Sequence, residues 1–340
     1  MALFRSFWHG EPLSPYQQLC LKSFVDHGHE FILYSYDRID VPAGIELKDA
    51  AAFFPRDRVF FYSSGPGAGS VSAFSNLFRY RLLREEGGWW TDADVICLSR
   101  DVPKADIVFG WQDRSRALIG SAILKFPRKH HLVAELCKTA QQMGAQVEWG
   151  QAGPDLVTQL VKQHALEHLA MDASLIYPLE PGEAIHALMP AHRDAIREKA
   201  GGALFLHLWN EILRRASVLD AVAPPHGSFL SELFEKHGVK FPGNLVYSDE
   251  QMRRLHDNFL GYLQSTGADA EIAAHRFEIA YLKGELDKAR KETRSALADR
   301  DLHRQFMQKL SSSWLWRMSW PLRALARFCR NVRNRPRQES

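Results

Sequence analysis

The chain opens on a short apolar run, Leu3–Trp8, that reads as a β-strand, and a helical pattern follows over residues 17–27 and ends near Gly28. Residues 30–36 read as a second strand and 58–62 as a third. Gly65, Gly67 and Gly69 then break the chain before a helix over about 71–86, which Gly87-Gly88 stops because glycine accepts the backbone conformations that end helices. Residues 95–98 enter another strand. Further strands are predicted at 107–109, 122–125 and 204–208, and helices at 129–142 and 154–164. Strands alternating with helices in this way predict an α/β fold, a mixed sheet flanked by helices, with a catalytic domain over residues 1–245.

The rhythm changes after about Pro242. From Asp249 onward the sequence is polar and helix-favouring, which predicts an α-helical extension over 246–310. Ile279, Leu282, Leu286, Ala289, Thr293 and Ala296 make a short heptad seam, half of it Ala or Thr. A short coiled coil or helical hairpin and a single solvated helix both fit it. Residues 311–340 form a basic tail in which Trp314, Trp316 and Trp320 precede Leu322, Leu325 and Phe328 set among Arg323, Arg327 and Arg330. Tryptophans beside a basic amphipathic helix suit the headgroup region of an anionic membrane. The other account is a helix that docks its Trp side on the body.

Composition sharpens this division. The formal charge is +3, yet the tail alone carries seven Arg against Glu339, so the body is mildly acidic. Attraction to a polyanion therefore belongs to the tail, and Arg residues without a folded reader do not predict a nucleic-acid partner. Cys20, Cys97, Cys137 and Cys329 lie far apart and form neither a zinc-type pair nor a disulfide framework, which fits a reducing cytoplasmic setting. The first ten residues lack the apolar core of a signal peptide, and no apolar run approaches the length of about 18 residues that a spanning helix needs. The expected location is cytoplasmic, peripheral on the inner face of the cytoplasmic membrane.

The chemistry concentrates between Phe74 and Leu98. A helix ends at two glycines, Trp89-Trp90 follows, and Asp92-Ala93-Asp94 stands at the mouth of a strand. Two carboxylates one residue apart make a hard oxygen site for Mn²⁺ or Mg²⁺, and such a cation suits a diphosphate. Alone, Asp-x-Asp is most often a solvated turn. Here Asn76 and Arg79, three residues apart, share the helix face that leads to it, where an amide and a guanidinium suit sugar or phosphate.

Ser75, Arg79, Leu83, Gly87, Gly88, Asp92 and Asp94, with Asn76 and Trp90 as near matches, resemble the sugar-binding region of glycosyltransferase family 32 and its relatives, whose pattern is roughly Ser-Asp-x-x-Arg-x-x-x-Leu-x-x-x-Gly-Gly-x-Tyr-x-Asp-x-Asp. Phe7-Trp8-His9-Gly10, Trp149-Gly150 with Gly153-Pro154, and His207-Leu208-Trp209-Asn210 extend the resemblance over about residues 4–210. The tail separately resembles Ser-Trp-Arg-x-x-x-Pro-Leu-Arg endings of bacterial surface-glycan enzymes.

The resemblance implies a GT-A fold and a retaining, Mn²⁺- or Mg²⁺-dependent hexosyl- or N-acetylhexosaminyltransferase. The donor would be a UDP- or GDP-sugar and the acceptor a glycan or glycolipid. It implies catalytic roles for Asp92, Asp94 and Arg79, with Asp94 the main metal ligand, Asp92 contacting ribose, sugar or metal-bound water, and His207 or Asn210 supplying a further ligand. Ser75, Asn76, Arg79, Trp90 and Asp92 would hold the donor, Trp8 and His9 would flank the nucleobase, and Gly120 and Ser121 would line the sugar pocket. Gly153, Pro154 and Asp155 themselves read as the opening of a helix whose N-terminus suits donor or acceptor, and a plain helix start with Pro154 near N1 accounts for them too. Core packing accounts almost equally well for Trp8, and a satisfied core histidine at a strand end is the rival account of His207. The family has Asp where this chain has Asn76, whose amide still donates and accepts. An altered sugar preference and a retired, partner-binding scaffold are both compatible with that change. A phosphoryl or nucleotidyl transferase on the same carboxylates would call for more acids near them.

Overall fold

The computed structural model describes residues 1–10, 12–63, 67–113, 117–264 and 300. The expected heptad seam and the Trp/Arg tail lie outside the described residues. The chain divides into two units, Met1–Ala274 and His275–Ser340, and the fold and site described here belong to the first.

Strand β1 (Leu3–Trp8) leads into helix α1 (Pro15–Asp26), strands β2 (Glu30–Ser35) and β3 (Ile45–Asp49), helix α2 (Ser72–Glu86) and strand β4 (Gly88–Thr91). There follow β5 (Val95–Cys97), β6 (Trp111–Asp113), β7 (Leu118–Ile119), β8 (Ile123–Phe126), α3 (His131–Met143) and α4 (Leu156–Gln163). The unit continues through α5 (Ala173–Ile176), α6 (Arg193–Ala200), β9 (Phe205–His207), α7 (Asn210–Arg215), α8 (Phe229–His237) and α9 (Asp249–Gln264). The main sheet has the order β3-β2-β1-β4-β8, parallel except for the β4–β8 pair, and two-stranded ribbons β5-β9 and β6-β7 stand beside it. This is a mixed α/β fold with a largely parallel sheet flanked by helices.

Alternation along the strands explains the helices on both faces. Phe4 of β1 and Trp89 of β4 pack with Phe24 of α1 and Phe205 of β9, whereas Phe7 and Trp90 meet Phe78 of α2 from the other face. Parallel strands covered on both faces are apolar nearly throughout, as the buried run of β2 shows. The chain winds outward from β1 to β3, then crosses back under α2 to place β4 on the other side of β1. Strand order therefore reverses between β1 and β4, and the carboxyl ends of strands at such a reversal are where open α/β sheets hold ligands.

Two strand expectations need correction. Residues 58–62 are not the third strand; Ile45–Asp49 is, paired residue for residue with β2 from Phe31↔Ile45 to Ser35↔Asp49. The backbone at Tyr62 closes on its own loop, accepting from Gly69 N at 2.9 Å and donating to Ser70 O at 3.0 Å. The apolar run there supplies rings instead, Phe60 against Phe74 and Tyr62 against Trp149. Residues 107–109 make a single bridge, Val108↔Lys125, and the strand begins at Trp111. In the C-terminal part, α9 packs on the body through buried Met252, Leu255 and Phe259. Among the described residues no helix is long and apolar enough to cross a membrane.

Candidate active site

Helix α2 is buried on most of its circumference, and Asn76 and Arg79 are the polar residues it buries. It stops where Gly87 takes φ +65°, and a Cβ there would stand 2.4 Å from Arg128 N, so glycine alone fits the turn into β4. That short turn delivers Asp92 to the carboxyl end of β4. Arg79, 3% exposed, donates from Nη2 to Asp92 Oδ1 at 2.6 Å, and Trp90 Nε1 donates to the same oxygen at 2.7 Å. Its Nη1 donates to Asn76 Oδ1. Arginine has no acceptor, so the amide must present its oxygen to the guanidinium, as a carboxylate would. The guanidinium also lies over the Trp90 ring, 5.2 Å from its centroid.

Asp94 is positioned from the other side. The β5–β9 register sets Val95 opposite His207, and Leu208 N donates to Asp94 O at 2.9 Å. His207 Nε2 thus comes within 3.2 Å of Asp94 Oδ2, the oxygen that also accepts Asn210 N at 2.9 Å. One ligand atom from each of Asp92, Asp94 and His207 lies within 4.8 Å of the others, the one such group of three His, Cys, Asp or Glu side chains among the described residues. Burial pushes the Asp92 carboxyl above its usual range, against the pull of Arg79 and with the push of Asp94. Burial also opposes ionisation of Asp94, but the charge and hydrogen bond of His207 and the Asn210 N–H outweigh it and hold Asp94 low.

Other expected residues gather around this centre to different degrees. A Cβ on Gly153 would stand 3.4 Å from the Asn76 amide and from Ser121 Oγ, so these three meet. Ser121 is buried and Ser75 half-buried on α2. Asp155 is exposed, and the helix expected from 154 begins as a wide turn over Gln151–Asp155 before α4. Asn210 reaches Asp94 through its backbone N–H. At the end of β1, Trp8 is half-buried, and His9 lies among Phe7, Tyr36 and Phe61. Burial first, then Arg56, lowers the pKa of His9. Gly120 lies directly under the ring of Tyr177, where a Cβ would approach within 2.4 Å.

In this neighbourhood Tyr177 carried no signal in the sequence, and Trp209 carried only its place in the stretch from His207 to Asn210. Tyr177, its phenol pushed up by burial, accepts Ile123 N at 3.1 Å and stands 5.9 Å, ring to ring, from His207. Trp209 adopts φ +53°, a left-handed conformation unusual for a bulky residue. Its Nε1 donates to Leu179 O at 3.2 Å and its ring lies 4.1 Å from that of His207. The reversal at Trp209 is what turns the Asn210 N–H back onto Asp94.

The donor set fits a divalent cation. Two carboxylates and an imidazole suit Mn²⁺ or a similar ion, and both donors to Asp92 address Oδ1, which makes Oδ2 the oxygen Asp92 can offer. His207 turns Nε2 toward Asp94, and its Nδ1 is buried without a hydrogen-bond partner among the described residues.

No protein-family model matches the chain, and no curated protein matches it. Several solved structures are similar at low identity. PaToxG glycosyltransferase is 14% identical over 48% of this chain and 68% of that one, with a TM-score of 0.36. The apo-form glycosyltransferase GlyE of Streptococcus pneumoniae TIGR4 is 11% identical over 76% of this chain and 63% of that one, with a TM-score of 0.35. The galactosyltransferase LgtC, in complex with donor and acceptor sugar analogues, is 10% identical over 75% of this chain and all of that one, with a TM-score of 0.38. Likenesses this distant decide nothing about chemistry, which rests on the geometry of the site.

Proposed function

We propose that this chain is a GT-A-type, divalent-metal-dependent glycosyltransferase that moves a hexose or N-acetylhexosamine from a UDP- or GDP-sugar to a glycan or glycolipid acceptor with retention of configuration. The observation that carries the reading is the convergence of Asp92, Asp94 and His207 where strand order reverses, with a buried arginine behind them. Likeness to family 32 over residues 75–95 supports the finer assignment.

Asp94, Asp92 and His207 would hold the cation. Bound there, it supplies positive charge to the donor diphosphate and to the nucleoside diphosphate that departs. Arg79 and Trp90 fix Asp92, while the Asn210 N–H and His207 fix Asp94, so the carboxylates need not reorganise when a donor arrives. Asn76, Ser121 and the Gly153 backbone form the wall against which the donor sugar rests, and Trp8 with His9 borders the nucleobase. Residues 1–245 make the catalytic domain and 246–310 the helical extension; residues 311–340 carry the basic tail that meets an anionic membrane surface.

A screen of UDP- and GDP-sugars with Mn²⁺, using the full chain and Asp94→Ala, tests this. Saturable, metal-dependent donor hydrolysis that the variant loses supports the transferase. Absence of binding to every nucleotide sugar, with or without metal, would make Asn76 the mark of a retired site and the protein a partner-binding scaffold.

A further inference from the structure

Away from the candidate active site, three imidazoles meet where α9 docks on the body. His186 lies in the last turn of the short 3₁₀ segment Pro181–Leu188, His192 ends the next, Pro190–His192, and His256 projects from α9. The His186 and His192 rings stack at 4.1 Å and 13°, and the His256 ring stands 5.1 Å from His186 and 6.4 Å from His192. None of the three belongs to the Asp92, Asp94 and His207 group.

The contact between His186 and His256 is the informative one. Their Nε2 atoms face each other at 3.1 Å. Zn²⁺–imidazole bonds are about 2.05 Å long, so one ion would touch both nitrogens at an angle of about 100°, between the tetrahedral and octahedral values. His256 Nδ1 lies 3.5 Å from Oδ1 of the exposed Asp257. Burial first, then the neighbouring His192 and His256, opposes a positive charge on His186. Glu183 and Lys199 are the acidic and basic side chains whose charges act on His186. Their charges are already joined in an ion pair.

We propose that His186 and His256 form a second metal site, for an imidazole-preferring ion such as Zn²⁺, that fastens α9 to the body, with His192 stacked behind His186. Its chemistry separates it from the first site. Carboxylate oxygens suit Mn²⁺, whereas a cluster of imidazoles discriminates against Mn²⁺ and Mg²⁺ in favour of later ions. The plain rival is an N–H···N hydrogen bond between the two rings, which binds nothing.

The test is a calorimetric Zn²⁺ titration of the tag-free, chelator-treated full chain in a large excess of Mn²⁺, with Asp94→Asn as the control for Zn²⁺ that displaces Mn²⁺ from the first site. One Zn²⁺ equivalent is expected in the unaltered protein and in Asp94→Asn, with affinity at least tenfold weaker in His256→Gln and in His186→Gln. Zn²⁺ should also raise the thermal midpoint of the unaltered protein and leave that of His256→Gln where it was. Should His186→Gln fail to fold, His256→Gln, which alters a half-exposed residue of α9, carries the decision alone. Zn²⁺ binding that is absent, that persists unchanged in His256→Gln, or that disappears in Asp94→Asn overturns the proposal. Because the readout is binding at residues outside the candidate active site, it stands or falls independently of the transferase reading.

Discussion

Replacing Gly120 by alanine adds one methyl group at the point where the candidate sugar pocket leans on the core. The new Cβ would lie 2.4 Å from Tyr177 Cζ, 2.5 Å from its hydroxyl oxygen and 2.6 Å from Cε2, against an ordinary contact of about 3.5–4.0 Å. Relief requires a shift of roughly 1 Å by a ring that is 3% exposed and packed near His207 and Trp209. Overpacking of this kind costs about 1–3 kcal/mol. The same shift pulls the phenol oxygen off Ile123 N, a buried donor, for a further ~1–3 kcal/mol. A total of about 2–6 kcal/mol corresponds to a fall in thermal midpoint of roughly 4–24 °C for a body of this size. Urea and thermal denaturation followed by circular dichroism would measure it, and Tyr177→Leu placed in the Gly120→Ala background should recover part of the loss. An alanine variant that melts with the unaltered protein would refute the packing argument, and with it the claim that Tyr177 braces the 120–123 segment.

Gly87→Ala should destabilise by about 2–4 kcal/mol, since it combines overpacking against Arg128 N with a left-handed φ; urea midpoints would check this, and an effect below about 1 kcal/mol contradicts it. Arg79→Lys keeps the charge but gives up the fork that reaches both Asn76 and Asp92. Losing one charge-assisted bond predicts a roughly 10–100-fold fall in kcat/KM for the donor with Mn²⁺ binding largely kept; unchanged kinetics would remove Arg79 from the site. His237 is held below its ordinary pKa, chiefly by burial and against the pull of Asp26. The unfolded chain takes up that proton near about 6.5, so the contribution of His237 to stability is present above that pH and lost as the pH falls through the folded pKa. Urea midpoints at about pH 7.5 and 5.5 should therefore differ less in His237→Gln than in the unaltered protein, and equal pH dependence would contradict this.

The elements most legible in the sequence were those in which local signals and tertiary use agree. Strand β1, the helix ended by Gly87-Gly88 and the Asp-x-Asp that follows were readable because glycine, apolar periodicity and carboxylate spacing each act over a few residues. The third strand was misplaced because Ile45–Asp49 sits at a sheet edge and is half polar, while the apolar run 58–62 looked like a strand and serves as aromatic packing. Strand β4 was hidden in Trp89-Trp90, whose neighbouring rings go to opposite faces of the sheet. His207 was a plausible ligand from its motif. What sets it beside Asp94 is an antiparallel register joining segments more than 100 residues apart, and the left-handed Trp209 and the brace at Tyr177 have no local signature at all.

Direct Mn²⁺ binding to the full chain, followed by the loss of free-ion electron paramagnetic resonance signal with and without UDP, tests the central claim. The unaltered protein should bind one Mn²⁺ more tightly when UDP is present, with Asp94→Asn abolishing that binding and His207→Gln weakening it at least about tenfold, the loss expected when a ligand is removed. Mn²⁺ binding that is indifferent to UDP and unchanged in both variants would contradict the assignment of Asp92, Asp94 and His207 as a diphosphate-bridging metal site.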